Sequence, residues 1–525
     1  MKFWDNLPKG GRIFMILLIV GGLAAGYVKF LKPYLDSNAP TETDKKPASD
    51  SKSFSLFKHG DEMNIALNTW SGFDGIILMN EGIVPNENSR LYKEYGIKLT
   101  IKIMDVLNDS RAAFKNGDVN VVYCTTDALP VEMGSKSDFA SMNVEQFFQL
   151  DWSRGGDAIV VTKAIKTVAD LKGKTIAFAE GTASHTLLIK VLESNGLKAT
   201  DVIMKKCSDG IEAANIFKAG QVDAAVVWSP DDGACVKTIK DSKVLISSKN
   251  ASSIIADGLI AKKEYITKNH DLLVKFCTAW LIGNAELNAS KEGKDSTAVK
   301  NAAKLFSENF LGGKDYDVAL LGINNVRFCT LEDNKNFFGL NSVYQGQTGD
   351  QLYTKMSLVY SGIKLVQNPI AWRNVSETSI IEAIKLNDPS QAAETATKFS
   401  PVTDAIKSKE AISNKKVTIN FETNSANLDD DDKATIDKEF VSIAKSFKDT
   451  RIRVEGNTDN VGSAVYNLDL SKRRAQSVVE YLVTEYGFDT NRFIIIGNGS
   501  KKAIAAGDKG SNDLYRKTDF QLVSE

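Results

Sequence analysis

The stretch "EGNTDNVGSAVYNLDLSKRRAQSVVEYL", Glu455 to Leu482, sets a carboxylate, Asp459, in a polar loop and two guanidiniums, Arg473 and Arg474, at the start of a regular helix. Opposite charges held at a fixed separation suit a ligand that carries both an ammonium and a carboxylate. With no such ligand the same residues are an ordinary solvated pair. A second set of chemical groups stands at the ends of four apolar strands: "WSGFDG" (Trp70 to Gly75), "TTDALP" (Thr125 to Pro130), "EGTASH" (Glu180 to His185) and "WSPDDG" (Trp228 to Gly233). These ends are small, hydroxyl-rich and acidic. Ligands of open α/β sheets bind at such strand ends. The third runs into the helical stretch "TLLIKVLES", so its backbone N–H groups, with the hydroxyls of Thr182 and Ser184, are candidates to hold an anionic group. The commoner role of Ser or Thr at that place is helix capping.

Nothing in the sequence assembles a catalyst. Of the three histidines, His59 lies in a polar segment, His270 in "TKNHDLL" reads as a surface residue, and only His185 stands at a strand end. No G-x-S-x-G, Walker A or H-E-x-x-H motif occurs, and metal ligands do not cluster. Cys124, Cys207, Cys235, Cys277 and Cys329 contain no C-x-x-C spacing and read as buried thiols, with a Cys207–Cys235 disulfide left open. The chain is therefore expected to be no enzyme and to need no cofactor and no metal.

The elements that must position these groups alternate in type. "MNIALNTW", "KLTIKIM", "VNVVYC", "DAIVVT", "KTIAFA" and "DAAVVW" are strand-like, with helical stretches such as "HTLLIKVLESNG" and "GIEAANIFKAG" between them. Near-continuous apolar strands separated by helices predict parallel sheets covered on both faces, here as two doubly wound lobes. Gly181–Ser184 and Trp228–Asp231 are expected to face each other once the lobes close. Near the C-terminus, "KVTINF", "RIRVEGN", "NRFIIIGNG" and "KTDFQLV" read as strands. The helix from Ser471 carries Ala475, Val478, Val479, Leu482 and Val483 on one stripe.

At 525 residues the chain exceeds one core, and its net charge of −1 offers no footprint for nucleic acid. Ile13 to Val28 is an uncharged run between Arg12 and Lys29. Extended to Leu31 it reads as a transmembrane helix, oriented N-in by Lys2, Lys9 and Arg12. A cleaved signal peptide is the competing reading. The expected division is a cytoplasmic N-terminus over 1–12, an anchor over 13–31, a linker over 32–62, an α/β domain over 63–386, a second solvated linker over 387–415 and an α/β domain over 416–525.

"DWSRGGDAIVVTKAIKTVADLKGKTIAFAEGTASHTLL" and "AANIFKAGQVDAAVVWSP" resemble the solute-binding proteins of nitrate, sulfonate and thiamine-precursor ABC importers. The resemblance implies a two-lobed periplasmic-binding-protein fold that closes on a small molecule. By position it places Ser71, Gly72, Thr126, Asp127, Gly181, Thr182, Ser184, Trp228 and Asp231 along the cleft. The acids there, and Arg154 as the one arginine near the motif, make an amine-bearing or neutral solute as admissible as an oxyanion.

"INFETNSANL", "VEGNTDNVGS", "YNLDLSKRRAQSVVEYL" and "YRKTDFQL" resemble the OmpA-like peptidoglycan-binding domain. That resemblance implies that Asp459 accepts the ammonium of diaminopimelate in the wall's stem peptide and that Arg474 binds its carboxylate. Groups around Thr423 and Asn424 complete the pocket, and Arg473, one position round the helix, points outward.

The expectation is an inner-membrane, single-pass protein with its bulk in the periplasm, holding peptidoglycan at one end and capturing or sensing a small solute at the other. The alternative is a cell-wall-fixed, MotB-like subunit of an ion-driven motor with a multi-span membrane partner. Such subunits usually carry a carboxylate in the span, and Ile13 to Val28 holds none.

Overall fold

The computed structural model describes residues 61–134, 139–293, 296–419, 421–422, 424–508, 510 and 515–523. The expected anchor over 13–31, the segment 32–60 and Thr423 lie outside them. Among the described residues no helix is long and apolar enough to cross a membrane.

Strands β1 (Asp61–Leu67), β2 (Ile97–Ile103), β3 (Val121–Thr125) and β4 (Val144–Ser153) begin the first lobe. The chain then crosses to a second lobe of β5 (Asp157–Val161), β6 (Thr175–Ala179), β7 (Ile203–Cys207), β8 (Ala224–Trp228) and β9 (Lys243–Ser247). It returns through β10 (Ala256–Lys262) and β11 (Val326–Phe328). The sheet orders are β11-β4-β10-β3-β1-β2 and β7-β6-β8-β5-β9. The expectation of parallel sheets holds for β2-β1-β3 and for β7-β6-β8. It fails where the chain changes lobes. Crossing strand β5 enters antiparallel to β8 and β9, and returning strand β10 lies antiparallel between β3 and β4. Strands covered on both faces are apolar in either direction, so the pattern did not encode this difference.

The C-terminal sheet has the order β12-β15-β13-β14, from β12 (Ala411–Val417), β13 (Arg451–Gly456), β14 (Phe493–Gly497) and β15 (Thr518–Val523). Helix Ala464–Tyr486 packs on β13 and β14 through Ala475, Val478, Val479 and Leu482. It starts where the Ser463 side chain accepts a hydrogen bond from Tyr466 N–H and stops at Gly487, left-handed at φ 64°. Gly456 lets the helix approach, since a Cβ there would lie 2.0 Å from Ser471 O. Helix and strand end are thereby locked together, which fixes where Arg474 stands.

Residues 387–415 are not a solvated tether. Gln391 is buried and donates to Leu281 O at 3.1 Å. Glu394 takes both arms of Arg154, at 2.5 and 2.7 Å, at the crossing between β4 and β5. Phe399 is buried beneath the Arg451 guanidinium, and β12 starts inside the segment. Most of its polar residues are exposed, and the segment is held down at a few points, Gln391, Glu394 and Phe399. The apolar core of the second lobe continues into the C-terminal domain, with Leu188, Val191 and Leu192 in one cluster with Ile436, Phe440 and Phe447. Ser253 N–H donates to Ser446 O, and Thr450 Oγ1 donates to Asn250 O.

The five cysteines are free and buried, so Cys207 and Cys235 form no disulfide.

Candidate functional site

A cavity of about 330 Å³ lies between the lobes. From the first lobe it takes the turn after β1 (Asn68, Thr69, Trp70), Asp105 and Arg111 after β2, the end of β3, and Asp257 of β10. From the second it takes Asp157, Gly181–Ala183 and Trp228–Asp231. An outer groove of about 550 Å³ shares Arg111, Gly181, Thr182 and Trp228 with it.

Gly181, Thr182, Trp228 and Asp231 line the cavity as the sequence reading expected. Ser71, Gly72, Thr126, Asp127 and Ser184 do not line it; all five are buried behind its wall. Gly72 is needed for close packing, because a Cβ would sit 1.9 Å from Asp151 Oδ2 and 2.5 Å from Trp70 Nε1. Thr126 is bound to the Gln146 amide at 2.9 Å. Ser184 holds the wall in place. It donates to Asp157 Oδ1 at 2.8 Å and accepts from Trp228 Nε1 at 2.9 Å, which fixes the indole at the cavity edge. Gly181–Ser184 and Trp228–Asp231 follow the adjacent strands β6 and β8 of one lobe. They are therefore side by side whether or not the lobes close, and what faces them is Trp70, Asp105 and Arg111.

The expected anion cradle is also changed. Thr182 Oγ1 donates to Ala179 O, Ser184 Oγ donates to Asp157, and Gly181 N–H donates to His185 Nδ1 at 3.3 Å. Both hydroxyls and the Gly181 N–H are thus engaged within the protein, while the N–H groups of Thr182, Ala183 and Ser184, at the start of helix Ala183–Ser194, donate to none of the described residues. Arg154, paired with Glu394, is not at the cleft. Arg111 is, but it is held by Glu132 at 2.8 Å and by Tyr123 O at 2.9 Å. In "NDSRAAFKNGD" Arg111 looks like a surface charge, and no signal separated it. Asp257 was also missed, although an acid inside the apolar run "ADGLIA" is such a signal.

Burial governs the acids here. It pushes Asp127, Asp151 and Asp157 up to about 7, and hydrogen bonds from Thr186, Asp257 and Ser184 respectively limit the rise. Asp257 is raised well above the carboxylate range, by burial first and then by Asp151. A carboxyl whose folded value is raised adds stability that is complete below its unfolded value and is lost as pH climbs to the folded one. Glu394 acts in the opposite sense. It is buried, but the Arg154 bond and charge outweigh burial and bring it down to about 2, so its contribution is lost in acid. The thermal midpoint of the ligand-free protein is therefore expected to be highest near about pH 4, where Glu394 is largely ionised and the raised acids are still protonated, and to fall toward pH 7.5. Scanning calorimetry across that range checks this. Asp127→Asn should flatten the alkaline side, and a midpoint still rising from pH 5 to 7.5 would contradict the assignment.

The second site lies in the C-terminal domain. Asp459 follows β13 and is 8% exposed, and its Oδ1 accepts from Val461 N–H. Its Oδ2 pairs with Arg516 Nη1 at 2.9 Å. Arg474 is 3% exposed and stacks on Phe421, its guanidinium carbon 4.9 Å from the ring centroid. Its Nε donates to Ser425 O at 3.0 Å and its Nη2 to Glu422 O at 3.2 Å. Burial lowers the Arg474 pKa, Arg516 lowers it further, and Asp459 opposes both. Asp459 and Arg474 thus belong to one electrostatic cluster with Arg516, which the sequence reading missed inside "YRKTDFQL". Asn424 sits in the turn between Glu422 and Ser425, left-handed at φ 61°. Arg473 is half-exposed and paired with Asp469 at 2.8 Å.

Two segments match known families: residues 87–292 the NMT1/THI5-like family and residues 420–516 the OmpA family. An Escherichia coli (strain K12) protein provisionally named as binding aliphatic sulfonates is 42% identical over 82 residues, 15% of this chain and 25% of the relative. Outer membrane porin F of Pseudomonas aeruginosa is 40% identical over 68 residues, 13% of this chain and 19% of the relative. The chain thus spans a quarter or less of either relative's length. The crystal structure of the periplasmic aliphatic sulphonate binding protein SsuA from Escherichia coli aligns with a TM-score of 0.45 at 19% identity, over 61% of this chain and 99% of that one.

Proposed function

We propose, for a chain that carries an NMT1/THI5-like domain in its middle and an OmpA domain at its C-terminal end, that it is a two-site binding protein of the cell envelope. The OmpA domain holds the peptidoglycan stem peptide. Asp459 receives the ammonium of diaminopimelate, and Arg474, with Arg516 beside it, receives the carboxylate. The observation that carries this reading is the burial of opposite charges in one electrostatic cluster, since side chains so desolvated bind a zwitterion more strongly than exposed ones. Arg474 Nη1 donates to none of the described residues and remains available to a ligand carboxylate. Asn424 lies in the adjoining turn, and Thr423, beside it in sequence, is proposed to contribute to the same site. The interlobe cavity captures a small solute between Trp70 and Trp228, and no reaction is assigned to it. Residues 13–31 anchor the chain in the inner membrane with the bulk in the periplasm.

Co-sedimentation of the full chain with purified sacculi tests the wall reading. Binding competed by free diaminopimelate, and not by equimolar glutarate, is the expected result. Sacculus binding indifferent to diaminopimelate would remove the Asp459 and Arg474 assignment. The anchor is checked separately by N-terminal sequencing of protein extracted from membranes. A start near Met1 is expected, and a start near Gly26 to Lys29 would show cleavage instead.

A further inference from the structure

We infer that the interlobe cavity is built for an organic cation, a protonated amine or amidine attached to a flat apolar body, and not for a sulfonate or other oxyanion. This rests on the reading of the cavity as a solute site and specifies its chemistry. Five carboxyl groups line it, from Asp105, Glu132, Asp157, Asp231 and Asp257, against a single guanidinium, Arg111, already paired with Glu132. Asp231 has Lys218 at 3.3 Å on its outer side. Asp105 accepts from the Thr69 N–H and hydroxyl. Asp257, 1% exposed, is different. It lies against Asp151, Tyr123 and Trp70, and Thr125, 6% exposed and directly across the β3–β10 ladder, lies against Asp127, yet neither Asp257 Oδ2 nor Thr125 Oγ1 completes a hydrogen bond with any described residue.

Buried polar atoms left unpartnered in a cavity wall are costly unless a guest satisfies them. A carboxylate oxygen next to a hydroxyl offers two acceptors to one N–H-bearing head. An oxyanion would find the Thr182 and Ser184 hydroxyls and the Gly181 N–H engaged inside the protein, leaving it only the N–H groups at the start of helix Ala183–Ser194, set against five carboxyl groups. The walls suit the rest of such a molecule. Trp70 is seated on Gly72 and Gly156, and Trp228 on Gly210, each where a Cβ would lie within 3 Å of the indole. Two indoles in the wall beside several carboxyl groups are a favourable setting for a cation, through charge and, where a ring face is met, through its quadrupole. The upward shift of Asp157 and Asp257 agrees with this, since a bound cation offsets the burial that raises them.

Three probes of one shape and different charge separate the possibilities on the full chain: 2-phenylethylammonium, 2-phenylethanol and 2-phenylethanesulfonate, followed by tryptophan fluorescence and by thermal shift. The ammonium is expected to bind at millimolar or lower concentration, the alcohol at least about tenfold more weakly, and the sulfonate not at all. Asp257→Asn should weaken the ammonium by at least about thirtyfold, the lower end for removing one side of a buried charge contact. It should leave the alcohol unchanged. Thr125→Val, which keeps every charge, should weaken the ammonium by severalfold, and it serves if Asp257→Asn does not fold. Sulfonate binding equal to or tighter than ammonium binding would overturn the cation assignment and leave the solute reading standing. So would an ammonium affinity indifferent to both substitutions. Silence from all three probes would overturn the solute reading itself.

Discussion

Arg474→Ala is expected to release the full chain from purified sacculi, with a loss of about 2–5 kcal/mol in binding, or roughly 30- to 5,000-fold. The size follows from burial. Arg474 is 3% exposed and lies over Phe421, so on the proposed reading its charge would meet a ligand carboxylate with little water between them. The same change also removes hydrogen bonds to Glu422 O and Ser425 O, which costs the domain about 1–3 kcal/mol of stability. Arg474→Lys separates the two effects, because it keeps the charge and loses the planar fork. It should bind sacculi at an intermediate level. Asp459→Asn, nearly isosteric, should match Arg474→Ala in binding loss while preserving the circular dichroism spectrum. Arg473→Ala removes only a half-exposed i,i+4 pair with Asp469 and should stay within about 0.5 kcal/mol of the parent. Unchanged sedimentation of both Asp459→Asn and Arg474→Ala would refute the site.

The second large effect is expected far from either ligand. Glu394 is the acid shared by Arg154 at 2.5 Å, Lys448 at 3.3 Å and Arg327 at 3.9 Å. Glu394→Ala leaves Arg154 desolvated without its bidentate partner, a change that costs about 3–5 kcal/mol when one side of a buried pair is deleted. The substitution should lower the urea midpoint and open residues 387–410 to proteolysis. Asp404→Ala, which removes an exposed partner of Lys407, should do neither. Resistance to protease equal to that of the parent protein would show that Glu394 does not hold the segment down.

What the sequence disclosed depended on how local the cause was. Helix Ala464–Tyr486 was legible because its stripe repeats along the chain, and the same periodicity separated buried Arg474 from outward Arg473. Gly181, Thr182, Trp228 and Asp231 were legible as strand-end residues. Ser71, Thr126 and Asp127 have the same character and sit one layer deeper, because whether a strand-end residue faces the cavity depends on the neighbouring strands. Strand β4 escaped notice because all ten of its residues are buried while Glu145, Gln146, Gln149 and Asp151 are polar, so it shows neither alternation nor a clean apolar run. Pairings such as Arg154 with Glu394, or Asp459 with Arg516, join residues 240 and 57 positions apart. Composition and spacing carry no trace of them.

The packing of residues 387–415 has a mechanical consequence. A slack tether of that length would reach roughly 100 Å when drawn out at about 3.4 Å per residue and would absorb displacement without resistance. Here the segment is clamped at Glu394, Phe399 and β12, so that reach is not available. The spacing between the interlobe cavity and the Asp459 cluster is set by the folded body, as in a strut.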